Sequence, residues 1–305
     1  MQQPFELAGV LPVFQTPFHE DESIDDLTLG QEIDWLFQQG ADGIVMAMVS
    51  ETLRLSSEER DELAAAACRF AAGRGPVIIS VGAESSHVAL RHARHAQACG
   101  ATAVMAIPPL ATACDENELI GYFRRILSGI DLPLIVQDAS GYVGRPLPIP
   151  TLARLLEEFG PARVLFKPEA TPIGPRLTAL RDATQGQARI FEGSGGIALV
   201  DSFRRGIVGT MPGADLIVAM VALWRALTKH DEVRIVELGS LLTNLVTLQT
   251  GLDGFLAIEK YLLVKQGVFN NTVVRGPVGF QLDDETRNEV DRRFKALMDA
   301  VGDRK

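Results

Sequence analysis

The sequence predicts an α/β protein of the TIM-barrel, or (β/α)8-barrel, class with a C-terminal helical extension. Over most of its 305 residues, short apolar runs alternate with longer amphipathic segments, and eight such runs can be distinguished. Parallel strands need crossover connections, and eight right-handed strand–helix units close into a barrel. The last four segments have a helical period with no strand between them, which indicates the extension.

The first five strand–helix units occupy the first half of the chain. Their predicted strands are residues 9–15, 43–49, 76–82, 103–107 and 134–138. Their predicted helices are residues 27–39, 58–72, 86–99, 115–128 and 150–159. Ser56 and Glu59 form a capping box at the start of the second helix. Glycines are expected to end these helices in left-handed caps, namely Gly40, Gly73, Gly100, Gly129 and Gly160.

The remaining units are shorter and lead into the extension. The predicted strands are 164–167, 190–193 and 207–210, and helices 173–183 and 197–205 lie between them. Four further helices are predicted at 215–228, 232–250, 255–265 and 284–301. No linker interrupts this pattern, so a barrel of residues 1–230 is expected to carry an extension of residues 231–305 packed on it. A doubly wound sheet would require a Gly-x-Gly-x-x-Gly turn after the first strand, which is absent.

Composition excludes several classes of protein. A net charge of −10 argues against a general nucleic-acid binder. No apolar run approaches the roughly 20 residues of a membrane span, and the N-terminus lacks a secretory layout, so a cytoplasmic location is expected. The three cysteines form no CxxC pair. His92 and His95 lie one helical turn apart on what we interpret as a solvated helix face, so no metal site is expected.

Polar residues that end the predicted strands are the candidate site, because TIM barrels build their active sites at the carboxyl ends of the strands. Strand 2 ends in Ser50-Glu51, strand 5 in Gln137-Asp138, strand 6 in Lys167, and strand 7 in Glu192-Gly193. Glu51 either contributes to the site or pairs with Arg54 to orient a loop. Asp138 and Tyr142 are either acid/base groups or turn residues. The glycines from Gly193 onward either cradle an anion or make a tight turn.

Lys167 is the sharpest candidate. Of six lysines, it is the one that terminates a predicted strand. An amine held in an apolar barrel mouth loses hydration, which makes its neutral, nucleophilic form accessible. The alternative is a structural salt bridge with Glu169 or Glu192.

The chain resembles the dihydrodipicolinate synthase/N-acetylneuraminate lyase family over nearly its whole length. The resemblance rests on Gly9-Val10-Leu11-Pro12-Val13 with Thr16-Pro17-Phe18, Gly40-Ala41-Asp42-Gly43, Ser50-Glu51, Pro108-Pro109, Leu132-Pro133-Leu134-Ile135 and Phe166-Lys167-Pro168-Glu169. It implies a barrel with a helical extension in which Lys167 forms an imine with a 2-keto acid. It further implies that no metal or organic cofactor is used, and that the chain forms a homo-oligomer, either a dimer or a tetramer.

Departures from the family pattern bear on the substrate. The paired threonines after strand 2 are replaced in Ala47-Met48-Val49-Ser50-Glu51, and Gln137-Asp138 stands where a tyrosine relays protons. Tyr142 replaces the arginine that holds a second substrate, so lysine biosynthesis is not expected. Val49-Ser50-Glu51 with Val136-Gln137-Asp138-Ala139 is similar to the 2-keto-3-deoxypentonate dehydratases of the family, such as L-2-keto-3-deoxyarabonate dehydratase.

The expected activity is dehydration of a 2-keto-3-deoxy sugar acid through an imine on Lys167. The alternatives are a pyruvate-dependent aldolase, a dihydrodipicolinate-synthase-like condensation, and a barrel that binds a keto acid without turning it over. Ser50 and neighbouring amides are expected to hold the carboxylate, and Gln137 to orient a hydroxyl or a water. Gly193 is expected to line the substrate site. The acid/base role is left open among Glu51, Asp138, Tyr142 and Glu192.

Overall fold

The computed structural model describes residues 5–302 and confirms the predicted fold class. The strands are β1 (Gly9–Val10), β2 (Ile44–Met46), β3 (Val77–Ser80), β4 (Ala103–Ala106), β5 (Leu134–Asp138), β6 (Val164–Pro168), β7 (Phe191–Glu192) and β8 (Gly209–Thr210). All paired neighbours are parallel, in the orders β2-β3-β4-β5-β6 and β1-β8-β7. Single bridges Val13–Val45 and Phe166–Ile190 join these two sheets into a closed barrel.

Helices alternate with the strands and then continue alone. The barrel helices are α1 (Asp26–Gln38), α2 (Ser57–Ala71), α3 (Ser86–Ala98), α4 (Glu116–Ser128), α5 (Ile149–Phe159), α6 (Ile173–Ala183), α7 (Leu199–Arg204) and α8 (Ile217–Lys229). The extension contains α9 (Glu232–Val246), α10 (Gly251–Lys265) and α11 (Asp284–Gly302). No single helix among residues 5–302 is long and apolar enough to cross a membrane; α9 and α10 reach that length only together and are bent by 112°.

Side chains of each strand alternate between two apolar layers. Leu11, Val45, Ile135 and Leu165 fill the barrel interior, whereas Val164 and Phe166 pack against the surrounding helices. Because the side-chain period of a strand is two residues, Gln137 and Lys167 point to the interior side, like Ile135 and Leu165. Asp138 points to the helix side. This parity decides which strand-end residues reach the mouth of the barrel.

Several predicted boundaries need correction. Predicted strand 2 extends to residue 49, but β2 ends at Met46 and a 3-10 turn follows at Met48–Ser50. The predicted helix 232–250 ends at Val246, and the next one begins at Gly251, whose φ of +66° favours glycine at the bend.

Two packing expectations were also wrong. Gly129 has a right-handed conformation, and a Cβ there would overlap Leu90, so this glycine permits close packing rather than a left-handed cap. His92 is buried with Nδ1 2.5 Å from Asp61 Oδ1, not on a solvated face. Lys260, which lies in a predicted helix, is fully buried.

Candidate active site

Lys167 lies at the carboxyl end of β6, beside Gln137 in the register of β5 and β6. Its side chain reaches a cavity at the mouth of the barrel, and only 4% of the residue is exposed. Residues from six strand ends and from α10 line this cavity: Val13, Ala47, Met48, Val49, Gln137, Tyr142, Lys167, Glu169, Gly193, Gly195, Met211, Pro212, Gly213, Leu252, Phe255 and Glu259. Four of the predicted site residues therefore meet here, namely Lys167, Gln137, Tyr142 and Gly193.

A short hydrogen-bonded chain connects Lys167 to the amide of Gln137 through a carboxyl group. Lys167 Nζ lies 3.0 Å from Glu169 Oε1. Gln137 Nε2 donates to Glu169 Oε2 at 2.7 Å. Burial raises the pKa of Glu169, while the ammonium of Lys167 and the amide of Gln137 act to lower it. The salt bridge weighed as an alternative for Lys167 thus exists, and it lies inside the cavity rather than away from it.

Tyr142 closes one side of the cavity. Its hydroxyl donates to the carbonyl of Gly193 at 3.3 Å, and its ring packs edge-on against Phe255 with centroids 5.5 Å apart. Burial and the nearby carboxyl groups raise the pKa of Tyr142, so the phenol stays neutral. Tyr142 therefore acts in this cavity as a wall and a neutral polar group.

Gly193 allows Lys167 and Glu169 to approach the end of β7. An ideal Cβ on Gly193 would lie 2.5 Å from Lys167 Cε and 2.7 Å from Glu169 Oε1. No real Cβ is accommodated at such distances without movement of both side chains. Glycine is thus required at this position because Lys167 and Glu169 approach its backbone closely. This role differs from both roles considered from the sequence, an anion cradle and a tight turn.

Replacing Gly193 with alanine is expected to reduce kcat/KM by about 100-fold, since a displacement of about 1 Å of a reacting group costs this much. The measurement is the steady-state kcat/KM of the variant and of the wild type. Gly121→Ala is the matched control, because a Cβ there meets no atom within 4 Å. Equal kinetics for the two variants would show that the lysine tolerates the added methyl group.

Ser50 is buried beneath the cavity rather than lining it. Its hydroxyl donates to the carbonyl of Phe14 at 2.5 Å and accepts from the amide of Ala47 at 3.1 Å. The side chain is therefore occupied by the fold of the 3-10 turn. The turn instead presents its first residues, Met48 and Val49, to the cavity. Amides at the start of such a turn have no partner within it and are available to an anion.

Glu51 forms a buried ion pair that the sequence did not predict. Its Oε1 lies 2.5 Å from Lys260 Nζ, which also donates to the carbonyls of Thr16 at 2.9 Å and Val273 at 2.6 Å. The expected partner Arg54 pairs with Asp253 instead, at 2.6 Å. Lys260 thereby fixes α10 to the loops that follow β1 and β2, and its three donors are all used.

Asp138 and Glu192 also lie outside the cavity lining. Asp138 accepts from the amides of Ser140 and Leu147 at 3.1 and 2.9 Å, which orders the loop after β5. Glu192 accepts from Ser194 and, at 2.8 Å, from the hydroxyl of Thr210. Both carboxylates stabilise the loops that shape the mouth of the barrel.

Two carboxyl groups of the cavity, Glu169 and Glu259, were missed as site residues. Glu169 follows Pro168, one residue beyond the end of β6, and was predicted only as a salt-bridge partner of Lys167. Glu259 lies on α10, on the same helical face as Leu252 and Phe255. An acidic residue on an otherwise apolar helix face was the signal that could have identified it. Among residues 5–302, no three side chains of the metal-binding types converge to hold a metal ion.

Glu259 belongs to a set of buried acids that includes Glu32 and Asp215. Burial raises the pKa of Asp215 to about 7 and that of Glu259 well above its usual range. In the unfolded chain, Asp215 regains a pKa near 3.8. The folded state therefore binds more protons between these values, and this contribution to stability is lost as the pH rises through about 7.

Asp215→Asn is consequently expected to raise the melting temperature by several degrees at pH 8 and by less at pH 5. The asparagine oxygen can still accept the hydrogen bond from Gln249 that Asp215 accepts at 3.3 Å. Calorimetry at both pH values measures the difference. The exposed Asp182→Asn is the control, and an equal change in both variants would refute the charge penalty at Asp215.

Comparisons with known proteins agree with this architecture. A model of the dihydrodipicolinate synthetase family matches residues 6–297. The chain is 30% identical over 235 residues to an L-2-keto-3-deoxyarabonate dehydratase of Azospirillum brasilense, covering 73% of this chain and 74% of that one. It is 30% identical over 151 residues, about half of each chain, to a probable 2-dehydro-3-deoxy-D-pentonate aldolase of Escherichia coli. A dihydrodipicolinate synthase structure from Rhodopseudomonas palustris superposes with a TM-score of 0.85 at 26% identity, over 95% of this chain and 97% of that one.

Proposed function

The chain belongs to the dihydrodipicolinate synthetase family, and we propose that it is a Schiff-base-forming lyase that dehydrates a 2-keto-3-deoxy sugar acid. The observation that carries the proposal is the hydrogen-bonded chain of Lys167, Glu169 and Gln137 in a buried cavity. It combines a nucleophilic amine with a carboxyl group that can take its proton. No metal or organic cofactor is needed for this chemistry.

The first step is attack by the neutral amine of Lys167 on C2 of the keto acid. Glu169 accepts the ammonium proton over their 3.0 Å contact. This transfer replaces two buried charges by two neutral groups, which a poorly solvated site favours. Glu169 returns that proton to the C2 oxygen, which leaves as water, so that an iminium ion forms and Glu169 is ionised again. The positive charge of the iminium ion makes a C3 proton removable.

Glu169 is the proposed base for that C3 proton. It is bound to the lysine that carries the substrate and is therefore close to C2 and C3. The Oε1 atom of Gln137 is buried and has no hydrogen-bond donor among residues 5–302. A substrate hydroxyl would satisfy this acceptor, as the predicted orienting role of Gln137 requires.

The substrate carboxylate is proposed to bind at the 3-10 turn after β2. The hydroxyl of Ser50 is already used by Phe14 and Ala47, so this role passes from Ser50 to the amides of Met48 and Val49. Ser50 and Glu51 then act by holding the turn. Replacement of the family's threonines by Met48 and Val49 removes hydroxyls but leaves backbone donors in place.

Dehydration is favoured over aldol cleavage by the protonation of the cavity. Cleavage of the C3–C4 bond needs a base for the C4 hydroxyl, whereas dehydration needs an acid to protonate it. Glu259 and Tyr142, which have no cationic partner among the described residues of the cavity, both have raised pKa values because they are buried. The similarity to a dehydratase, which covers 73% of this chain, supports the same choice. The aldolase remains the second candidate, since another relative bears that name.

The test is incubation of the wild-type protein with a panel of 2-keto-3-deoxy sugar acids and pyruvate, followed by borohydride reduction and mass spectrometry. We expect a reduced adduct on Lys167 and release of a dehydrated product from at least one sugar acid. Release of pyruvate and an aldehyde would establish the aldolase instead. Adducts without any product would leave a keto-acid-binding barrel, and no adduct would refute the Schiff-base class.

A further inference from the structure

Helix α10 contributes a second carboxyl group to the cavity. Leu252, Phe255 and Glu259 face the cavity from one side of this helix, and Phe255 packs against Tyr142. Lys260, the next residue after Glu259, ties α10 to Glu51 and to the carbonyl of Thr16. The helical extension therefore forms part of the wall of the site. The contacts of Phe255 and Lys260, which precede and follow Glu259 on α10, hold Glu259 in position.

The carboxyl group of Glu259 has one occupied and one free oxygen. Oε2 accepts a hydrogen bond from Gln15 Nε2. Oε1 accepts no hydrogen bond from the described residues, although only 1% of the residue is exposed to solvent. The group lies against Gly213, where an ideal Cβ would come within 2.5 Å of Glu259 Cδ. Gly213 itself lines the cavity, so the missing side chain gives the carboxyl group its access.

Glu259 differs from Glu169 in its electrostatic surroundings. Glu169 is paired with Lys167, whereas none of the salt bridges in residues 5–302 includes Glu259. The groups that face Glu259 from neighbouring elements are the acids Asp215 and Glu32, the amide of Gln15, and the phenol of Tyr142. Burial, followed by repulsion from Asp215, raises the pKa of Glu259. Glu259 therefore holds a proton in the resting site.

We propose that Glu259 is the general acid that protonates the leaving C4 hydroxyl, a role that rests on the dehydration proposed above. In the elimination, Glu169 takes the proton from C3, and the electrons of that C–H bond form the enamine. The enamine electrons then form the C3–C4 double bond as the C4–O bond breaks and Glu259 donates its proton to the departing oxygen. Water leaves, and the unsaturated iminium is hydrolysed to regenerate Lys167. The proton gained by Glu169 returns to Glu259 through solvent.

The test compares Glu259→Gln with Glu169→Gln and with the control Glu32→Gln. Glu32 is a buried acid that accepts a hydrogen bond from the backbone N–H of Gln15 at 2.9 Å but does not line the cavity. Four readouts separate the steps: borohydride trapping with pyruvate, exchange of the pyruvate methyl protons in D2O by NMR, dehydration of the sugar acid, and elimination of fluoride from 2-keto-4-fluorobutanoate. Melting curves establish that each variant is folded.

Glu259→Gln is expected to trap pyruvate and exchange its protons within about threefold of wild type, yet to lose about 100- to 10,000-fold in dehydration kcat. Elimination from 2-keto-4-fluorobutanoate should survive in Glu259→Gln, because fluoride leaves without an acid. It should be lost in Glu169→Gln. Glu32→Gln, which changes a neighbour of Glu259 but no residue of the cavity lining, should stay within about threefold of wild type in every readout.

The outcomes that overturn the proposal are specific. Dehydration by Glu259→Gln at a wild-type rate removes the acid role and leaves the proposed function intact. Loss of methyl-proton exchange together with dehydration shows that Glu259 maintains the site rather than donating a proton. A wild-type protein that traps keto acids but dehydrates none refutes the proposed function, and the role of Glu259 with it.

Discussion

Replacement of Lys167 by alanine is expected to lower turnover by at least about four orders of magnitude and to abolish borohydride trapping. The imine cannot form without the amine, and among residues 5–302 no other side chain that lines the cavity supplies one. The variant should still fold. Burial already raises the pKa of Glu169, so after loss of the lysine this carboxyl group takes up a proton instead of remaining an unpaired buried charge.

The measurement is product formation combined with peptide mapping of the reduced adduct. Lys260 is the internal control, because it is also buried but donates hydrogen bonds to Glu51, Thr16 and Val273. The exposed Lys229→Ala is the matched variant and should retain wild-type activity. An adduct mapped to Lys260, or turnover that persists in Lys167→Ala, would contradict the assignment of the nucleophile.

The barrel and its family could be predicted from the sequence because their signals are local. Strand–helix alternation and the Phe166-Lys167-Pro168-Glu169 motif need no knowledge of tertiary contacts, and both the fold class and the family are confirmed. The shortest strands were the least well bounded. β7 and β8 contain two residues each, too few for a period to define their ends.

The sequence could not decide which strand-end residues enter the cavity. Both faces of a barrel strand are apolar, so hydrophobic patterning does not distinguish Gln137 from Asp138. The register of β5 and β6 distinguishes them, because it pairs Gln137 with Lys167 on the interior side of the barrel and leaves Asp138 on the helix side. Ser50 presents a related difficulty, since the 3-10 turn that occupies its hydroxyl follows directly from β2.

The sequence marks Glu259 as an acid on an apolar helix face, but it could not show that this face lies over the cavity. Glu259 and Lys260 are neighbours in sequence, yet one lines the cavity and the other pairs with Glu51. Their roles depend on how α10 packs over the mouth of the barrel, which is set by contacts between segments far apart in the chain. The cavity therefore contains residues of both parts that the helical pattern suggested, the barrel and the extension.

Replacement of Glu169 by glutamine is expected to leave the imine but to reduce C3 proton exchange and dehydration by about 100- to 10,000-fold. The amide is isosteric and can still accept the hydrogen bond that Gln137 donates at 2.7 Å. The amide cannot take the ammonium proton of Lys167, which then passes to solvent, so borohydride trapping of pyruvate should persist at a reduced rate. C3 proton exchange that slows only as much as trapping does would show that Glu169 acts on Lys167 and not at C3.

The pH dependence gives an independent test of the same assignment. A base must be ionised to act, so kcat/KM of the wild type should fall as the pH is lowered through the pKa of Glu169. Because burial raises that pKa above 4.5, the acid limb should lie above the range of an exposed glutamate. Glu169→Gln has no such group and should lose the limb, whereas Glu259→Gln should retain it. An unchanged acid limb in Glu169→Gln would assign the C3 proton to a different base.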